Sequence, residues 1–199
     1  MKQLSFIALT LVSIVIISAC NSQKSENGDQ RSQEEKTATP QQQISEQQYF
    51  QAALNGDFNT LKKAIDNGMD VNATGQTGNT ALMLAAYNGH KQIVDFLLQK
   101  GANVNKQDAN QRTALLYAAS GDNPETVQAL IDAGAEIDHT DKKEGFSPLM
   151  FAAAEGQTEV VKTLLEAGAD KTVKDKDGDT ALDFARENGH SKTAELLAE

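Results

Sequence analysis

The chain has 199 residues, 39% of them hydrophobic but only 5% aromatic and none Trp. Such a core must be built from Leu, Ile, Val and Ala, which suits packed short helices, and the length allows one modest domain plus accessory segments. A net charge of −10 argues against nucleic acid or an anionic membrane face as the main partner. It suits a basic protein partner or plain solubility equally. With a single Cys no intrachain disulfide can form, so the fold must hold by packing alone.

Lys2 gives a positive start, and Leu4 to Ile17 is apolar apart from Ser5, Thr10 and Ser13. As a helix, these 14 residues would span about 21 Å, short of the roughly 30 Å hydrocarbon core. The pattern predicts a signal peptide over residues 1–19 and no spanning helix. Its end, Ile17-Ser18-Ala19-Cys20, resembles the lipobox of bacterial lipoproteins: an aliphatic residue, two small residues, then Cys. That resemblance implies cleavage before Cys20 and acylation of its sulfur and amine. Two or three acyl chains anchor stably where one is marginal. The plainer alternative is a secretory peptide with an incidental cysteine. The motif's place at the end of the apolar run and the lack of any other Cys favour the lipobox. In Gram-negative lipoproteins Asp in the next position retains the chain at the inner membrane. Asn21 therefore leans toward the outer membrane, and the expected location is the cell envelope, periplasm-facing or at the cell surface. Residues 20–44 are rich in Gln, Ser, Glu, Lys and Asn, without periodicity, and predict a disordered tether. About 24 such residues span on the order of 25–30 Å.

From residue 45 onward the chain repeats itself. "GNTALMLAAYNGHKQIVDFLLQKGANVNKQD", "QRTALLYAASGDNPETVQALIDAGAEIDHTD", "FSPLMFAAAEGQTEVVKTLLEAGADKTVKD" and "GDTALDFARENGHSKTAELLAE" align on their small-residue turns. The steps Thr80–Thr113, Thr113–Ser147 and Ser147–Thr180 are 33, 34 and 33 residues, the extra residue falling in "DKKEGFS". Apolar stripes recur at helical spacing, as in Leu82, Ala85 and Ala86, then Ile93, Val94, Leu97 and Leu98. Ala pairs at 52–53, 85–86, 118–119 and 152–153 let neighbouring helices approach closely. Thr80, Thr113, Ser147 and Thr180 stand where a helix N-cap oxygen is needed, and Asn123-Pro124 reads as a cap followed by a first-turn Pro. Gly101, Gly134 and Gly168 suit left-handed helix ends. No unit can bury its stripe alone, so the units must stack.

These residues resemble the ankyrin repeat, with T-A-L or S-P-L opening the first helix and G-A-[NED] after the second. The resemblance covers about residues 46–199, including a degenerate first copy, "QQYFQAALNGDFNTLKKAIDNGMDVNATG". The expected fold is all-α, a solenoid of five helix-turn-helix units with short finger turns: about 46–77, 78–110, 111–144, 145–177 and 178–199. The end units should be caps, with Thr60, Ala64, Thr193 and Ala198 facing water. One departure stands out. The family's frequent T-P-L-H has His in its fourth place, where Met83, Leu116, Met150 and Asp183 stand here. Apolar contacts are expected to substitute in the three middle repeats.

Catalysis needs converging groups, and none converge in this pattern. His90 and His190 follow a Gly three repeats apart, roughly 25–30 Å in a stack. They read as turn residues. His139 lies between Asp138 and Asp141; a metal enzyme using that loop is a conceivable alternative. "DKDGDT" (Asp175–Thr180) looks like part of a calcium loop. Its register fails, with Thr180 where Gly is needed and Arg186 where a bidentate Glu belongs. No phosphate loop, Ser-His-Asp set or paired cysteines appear. No cofactor or metal and no enzyme activity are expected.

The ankyrin resemblance implies binding through the finger turns and first helices. Carried over by position, the finger candidates are Gln76, Thr77 and Asn79; Ala109, Asn110 and Arg112; Lys142, Lys143 and Phe146; Lys176 and Asp179. The helix candidates are Tyr87, Asn88, Ser120, Ala154 and Glu155. Tyr87, Arg112 and Phe146 are the types that carry most interface energy, and a patch centred on them is expected. The function that follows is a monomeric, membrane-tethered protein-binding module without turnover. Its alternatives are an immunity or inhibitor protein against an envelope-acting effector, or an accessory factor in oxidative-stress defence.

Overall fold

The structure is a computed structural model and describes residues 44–199. Among the described residues there are ten helices and no strand. They run in pairs: α1 (Glu46–Asn55) and α2 (Phe58–Asp66); α3 (Ala81–Tyr87) and α4 (Lys91–Gln99); α5 (Ala114–Ala119) and α6 (Pro124–Asp132); α7 (Pro148–Ala154) and α8 (Thr158–Glu166); α9 (Ala181–Glu187) and α10 (Ser191–Ala198). First helices pack on first helices in the order α1, α3, α5, α7, α9, and second helices form a parallel row behind them. Helices this short are marginal alone, so caps and stacking must stabilise them.

The interior is aliphatic. Ala53, Ala85, Ala86, Ala118, Ala119, Ala152 and Ala153 are fully buried, and their small size sets the close spacing of the first-helix row. Val94, Leu97, Val127, Leu130, Val161 and Leu164 fill the layer between the rows. Pro124 and Pro148 occupy first-turn positions, where the missing N–H costs nothing. Gly101, Gly134 and Gly168 take positive φ just beyond α4, α6 and α8.

The cap expectations divide. Thr80, Ser147 and Thr180 accept from the backbone N–H of Met83, Met150 and Asp183. Their own N–H groups donate to those same side chains: to Met83 Sδ at 3.3 Å, Met150 Sδ at 3.4 Å and Asp183 Oδ2 at 2.9 Å. The two methionines are therefore acceptors as well as core residues, which corrects the expectation of purely apolar substitution. Leu116 can accept nothing, and the buried Thr113 hydroxyl beside it has no partner among the described residues.

The end positions also differ from expectation. Ala198 is exposed and Thr60 half-buried, but Thr193 is 1% exposed and Ala64 2% exposed. The Ile93-type position faces the preceding unit. In the last unit Thr193 therefore packs inward, its hydroxyl 2.9 Å from Thr158 Oγ1.

Polar side chains stitch neighbouring units along the second-helix exits. Asn72 donates to the Gly101 carbonyl and accepts from Asn103 N–H; Asn105 repeats this with the Gly134 carbonyl and Glu136 N–H. Asp138 stands in the same place and accepts from Asp170 N–H. A carboxylate has no donor for the Gly168 carbonyl, so one bond of the pattern is missing.

Candidate protein-binding surface

Three of the four fingers are folded around one aspartate; the first has Gly75 in that place and closes by backbone bonds, Gly75 N–H to the Asn79 carbonyl and Gly78 N–H to the Gly75 carbonyl. In the second finger, Asp108 Oδ1 accepts from the N–H of Asn110 and of Arg112, both at 2.8 Å. Its Oδ2 takes the Tyr117 hydroxyl at 2.8 Å. In the third, Asp141 Oδ1 accepts from Glu144, Gly145 and Phe146 N–H at 3.0, 2.9 and 3.2 Å. Its Oδ2 faces the Arg112 guanidinium of the preceding finger, Nη2 at 3.3 Å. In the fourth, Asp175 accepts from Asp177 and Asp179 N–H at 3.0 and 2.8 Å. The calcium-like "DKDGDT" is thus a hydrogen-bonded turn that its own amides satisfy.

Successive fingers are then joined backbone to backbone. Ala109 N–H donates to the Thr77 carbonyl, Lys142 N–H to Asn110 and Lys176 N–H to Glu144, at 3.1, 2.8 and 3.0 Å. The Lys176 ammonium adds bonds to the Lys142 and Lys143 carbonyls. A row of short turns is in this way held as one surface, with its tips projecting.

Phe146 overturns its expected role. It is 7% exposed, ring to ring with Phe184 at 4.8 Å and Phe151 at 5.4 Å. The extra residue in "DKKEGF" lengthens the finger, and Asp141 closes it by drawing the Phe146 amide inward. Arg112 is committed as well: its side chain is 16% exposed, paired with the 1% exposed Asp141 and lying over the Phe151 ring at 5.3 Å. Asn79 is half-buried, and its side chain accepts from the Thr77 hydroxyl.

The other candidates do reach the surface. Tyr87 is half-buried, edge-on to Tyr117 at 6.4 Å. Asn110, Lys143 and Glu155 are exposed, and Asp179 is half-buried. Among the described residues the Lys143 side chain makes only an adjacent-residue pair with Glu144. Cys20 lies outside the described residues.

The finger supports missed from sequence are Asp108, Tyr117, Phe151 and Asp141, the last named there only for a metal loop. The aspartates had a signal: with Asp175 they recur at the repeat spacing, in "KQD", "HTD" and "VKD". Tyr117 and Phe151 share the repeat position of Leu84, which reads as plain core. Burial, and then the bond to Asp108, push the Tyr117 phenol well above its ordinary value. It therefore stays a proton donor to the finger.

The histidines hold units together. His90 Nε2 lies 3.0 Å from the Leu54 carbonyl and His190 Nε2 3.0 Å from the Ala154 carbonyl, each one unit back. A Cβ on Gly156 would sit 2.4 Å from the His190 ring, so glycine is required there for space as well as for φ +71. His139 Nε2 meets the Gln111 carbonyl at 2.7 Å, with Nδ1 3.4 Å from Glu136. Among the described residues no three His, Cys, Asp or Glu side chains converge as a metal-binding group.

Paired short helices stacked in two rows, with bonded fingers between units, define a helical-repeat solenoid. A family model described as ankyrin repeats (3 copies) matches residues 49–141 and 122–199, and the chain belongs to the ankyrin-repeat family. Members of that family serve as protein–protein interaction modules. No curated protein matches the chain.

Proposed function

We propose that the chain is a non-catalytic protein-binding module tethered to a membrane of the bacterial envelope through acylated Cys20. Residues 1–19 are the leader, 20–44 the tether, and 45–199 the binding domain. One observation supports the binding face above others. The finger row is pre-organised by backbone and aspartate hydrogen bonds, yet the side chains of Asn110, Lys143 and Asp179 extend from it, and those of Tyr87 and Glu155 from the C-terminal ends of α3 and α7, with little internal commitment. Ordering costs are met before binding, which favours affinity. Arg112 and Phe146 act beneath this face, as its supports. The lipobox-like Ile17–Cys20 supports the anchor.

A photo-crosslinking residue at Asn110 or Lys143 should capture a discrete protein in the envelope. The double variant Tyr87→Ala/Lys143→Glu should abolish capture with the fold intact by circular dichroism. Undiminished capture by that variant would move the site elsewhere. Metabolic labelling with a clickable fatty acid tests the anchor: label on the wild type and none on Cys20→Ser is expected, and an unlabelled wild type refutes it.

A further inference from the structure

The row of second helices is not uniform along its length. On α2 and α4, with their charged cap residues Asp57 and Lys100, stand Lys62, Lys63, Lys91 and Lys100 against Asp57, Asp66 and Asp95. On α6 and α8 the charges reverse: Lys162 alone stands against Glu125, Asp132, Glu159 and Glu166. Lys62 pairs with Asp66 and Lys91 with Asp95, while Lys63 and Lys100 form no ion pair among the described residues; with Asp57 counted, the excess on this face is one positive charge, against three negative on α6 and α8.

The same stretch carries the only aromatic rings on the second helices, Phe58 and Phe96. They are half-buried and meet edge to face at 5.3 Å across the α2–α4 contact. The Lys100 ammonium lies over the Phe96 ring at 5.4 Å. Later units place Ala129 and Thr163 where Phe96 stands. Partly exposed rings rimmed by long cationic side chains match a lipid interface, where the stems lie along apolar surface and the ammonium groups reach phosphate.

We propose that this face of α2 and α4 rests on an anionic phospholipid surface and orients the anchored domain. The inference rests on the lipid-anchor reading. That reading places the membrane end at the N-terminal side, within a tether's reach of the first two units. The acidic later units would be repelled from the same surface, so the solenoid would stand with its C-terminal units away from lipid and its fingers accessible. The overall charge of −10 and this local face are compatible, because exposed charges act only over about a Debye length of 10 Å.

The absence of Trp provides the test. Full-length chain carrying Phe58→Trp, or Phe96→Trp should the first fold poorly, is reconstituted into vesicles with about 30% phosphatidylglycerol and bromine-labelled acyl chains. Leu196→Trp, in the Phe96 position of the last unit, is the control. Quenching of the α2 or α4 probe, with the control unquenched, is expected. Each lysine near the surface is worth about fivefold in association, so Lys63→Gln/Lys100→Gln should weaken the contact about 30-fold and restore emission. Pure phosphatidylcholine vesicles should restore it too. A chain that floats with the vesicles while its Phe58→Trp and Phe96→Trp probes stay bright overturns the proposal and leaves the anchor standing. Quenching that persists in phosphatidylcholine overturns the charge argument. A chain that does not float with vesicles overturns anchor and orientation together.

Discussion

Asp141 is the point at which the third finger can be made to fail. Its side chain is 1% exposed, with three backbone amides on Oδ1 and the Arg112 guanidinium on Oδ2. Asp141→Asn keeps the shape and one acceptor oxygen. Bonds to an ionised acceptor are roughly twice as strong as neutral ones, so weakening three of them costs about 1–2 kcal/mol. The new NH2 then faces a guanidinium, two donors together in a buried place, for about 2 kcal/mol more. The expected loss is about 3–4 kcal/mol, read as a shift of the urea midpoint in far-UV circular dichroism. Arg112→Met should cost less, about 1–2 kcal/mol, because the three amides keep their carboxylate. Combined with Asp141→Asn it removes the donor–donor conflict, so the double variant should lose less than the sum of the two. Asp175→Asn is the internal control: the same turn in a half-buried place, with two amides and no ion pair to a cation. If Asp141→Asn costs no more than Asp175→Asn, Asp141 is an ordinary turn residue and the reasoning fails.

The other outcomes follow from single missing or present bonds. Asp138→Asn supplies the absent donor to the Gly168 carbonyl and should stabilise by about 0.5–1 kcal/mol, while Asn105→Ala should lose about 1–2 kcal/mol; chemical denaturation reads both, and a destabilised Asp138→Asn contradicts the stitching pattern. Thr80→Val should cost about 1 kcal/mol, whereas Thr113→Val, which removes a buried hydroxyl without a partner, should be neutral or stabilising. Equal losses at the two positions would mean that the Thr113 hydroxyl is satisfied in solution. Hydrogen bonds from the Thr180 hydroxyl and amide hold the Asp183 carboxyl below its ordinary 3.8. A depressed folded value means stability present above the unfolded value and lost as pH falls through the folded one. The melting deficit of Asp183→Ala should therefore be largest near neutrality and shrink on acidification below the ordinary value; a pH-independent deficit would assign Asp183 a purely neutral capping role.

What could be read from the residues was the periodic part. Thr80, Ser147 and Thr180, the Ala pairs and the helix-end glycines repeat because every unit meets the same neighbour on the same face. Position within the repeat therefore predicts environment. Reading fails where a residue's environment depends on what one specific neighbour supplies. Thr113 has the sequence of a cap, but its partner position holds Leu116, and the hydroxyl is left alone. Met83 and Met150 look like core, yet a sulfur within 3.4 Å of a cap N–H makes each an acceptor. Thr193 looks like a solvent-facing substitution until the Ile93 position is seen to face backwards, where Thr158 offers it a hydroxyl.

Phe146 is the most instructive of these, because the reasons for expecting it on the surface were sound. It sits beside an insertion, in a loop otherwise made of Lys, Glu and Gly. The same insertion gives the finger enough length to wrap three amides around Asp141, and that wrap carries Phe146 into the gap between Phe151 and Phe184. A polar loop has become a lid over an aromatic cluster, with Arg112 clamped on its rim. The consequence for binding is a division of labour. Residues with the strongest apparent capacity for interface energy, Arg112 and Phe146, are spent on fixing the finger. The residues left projecting from that fixed frame are weaker individually: Tyr87, Asn110, Lys143, Glu155 and Asp179. A partner recognised by such a face must be read across several units at once. Substitutions at single fingertips should then weaken capture modestly, while breaking Asp141 should remove it by loosening the frame they share.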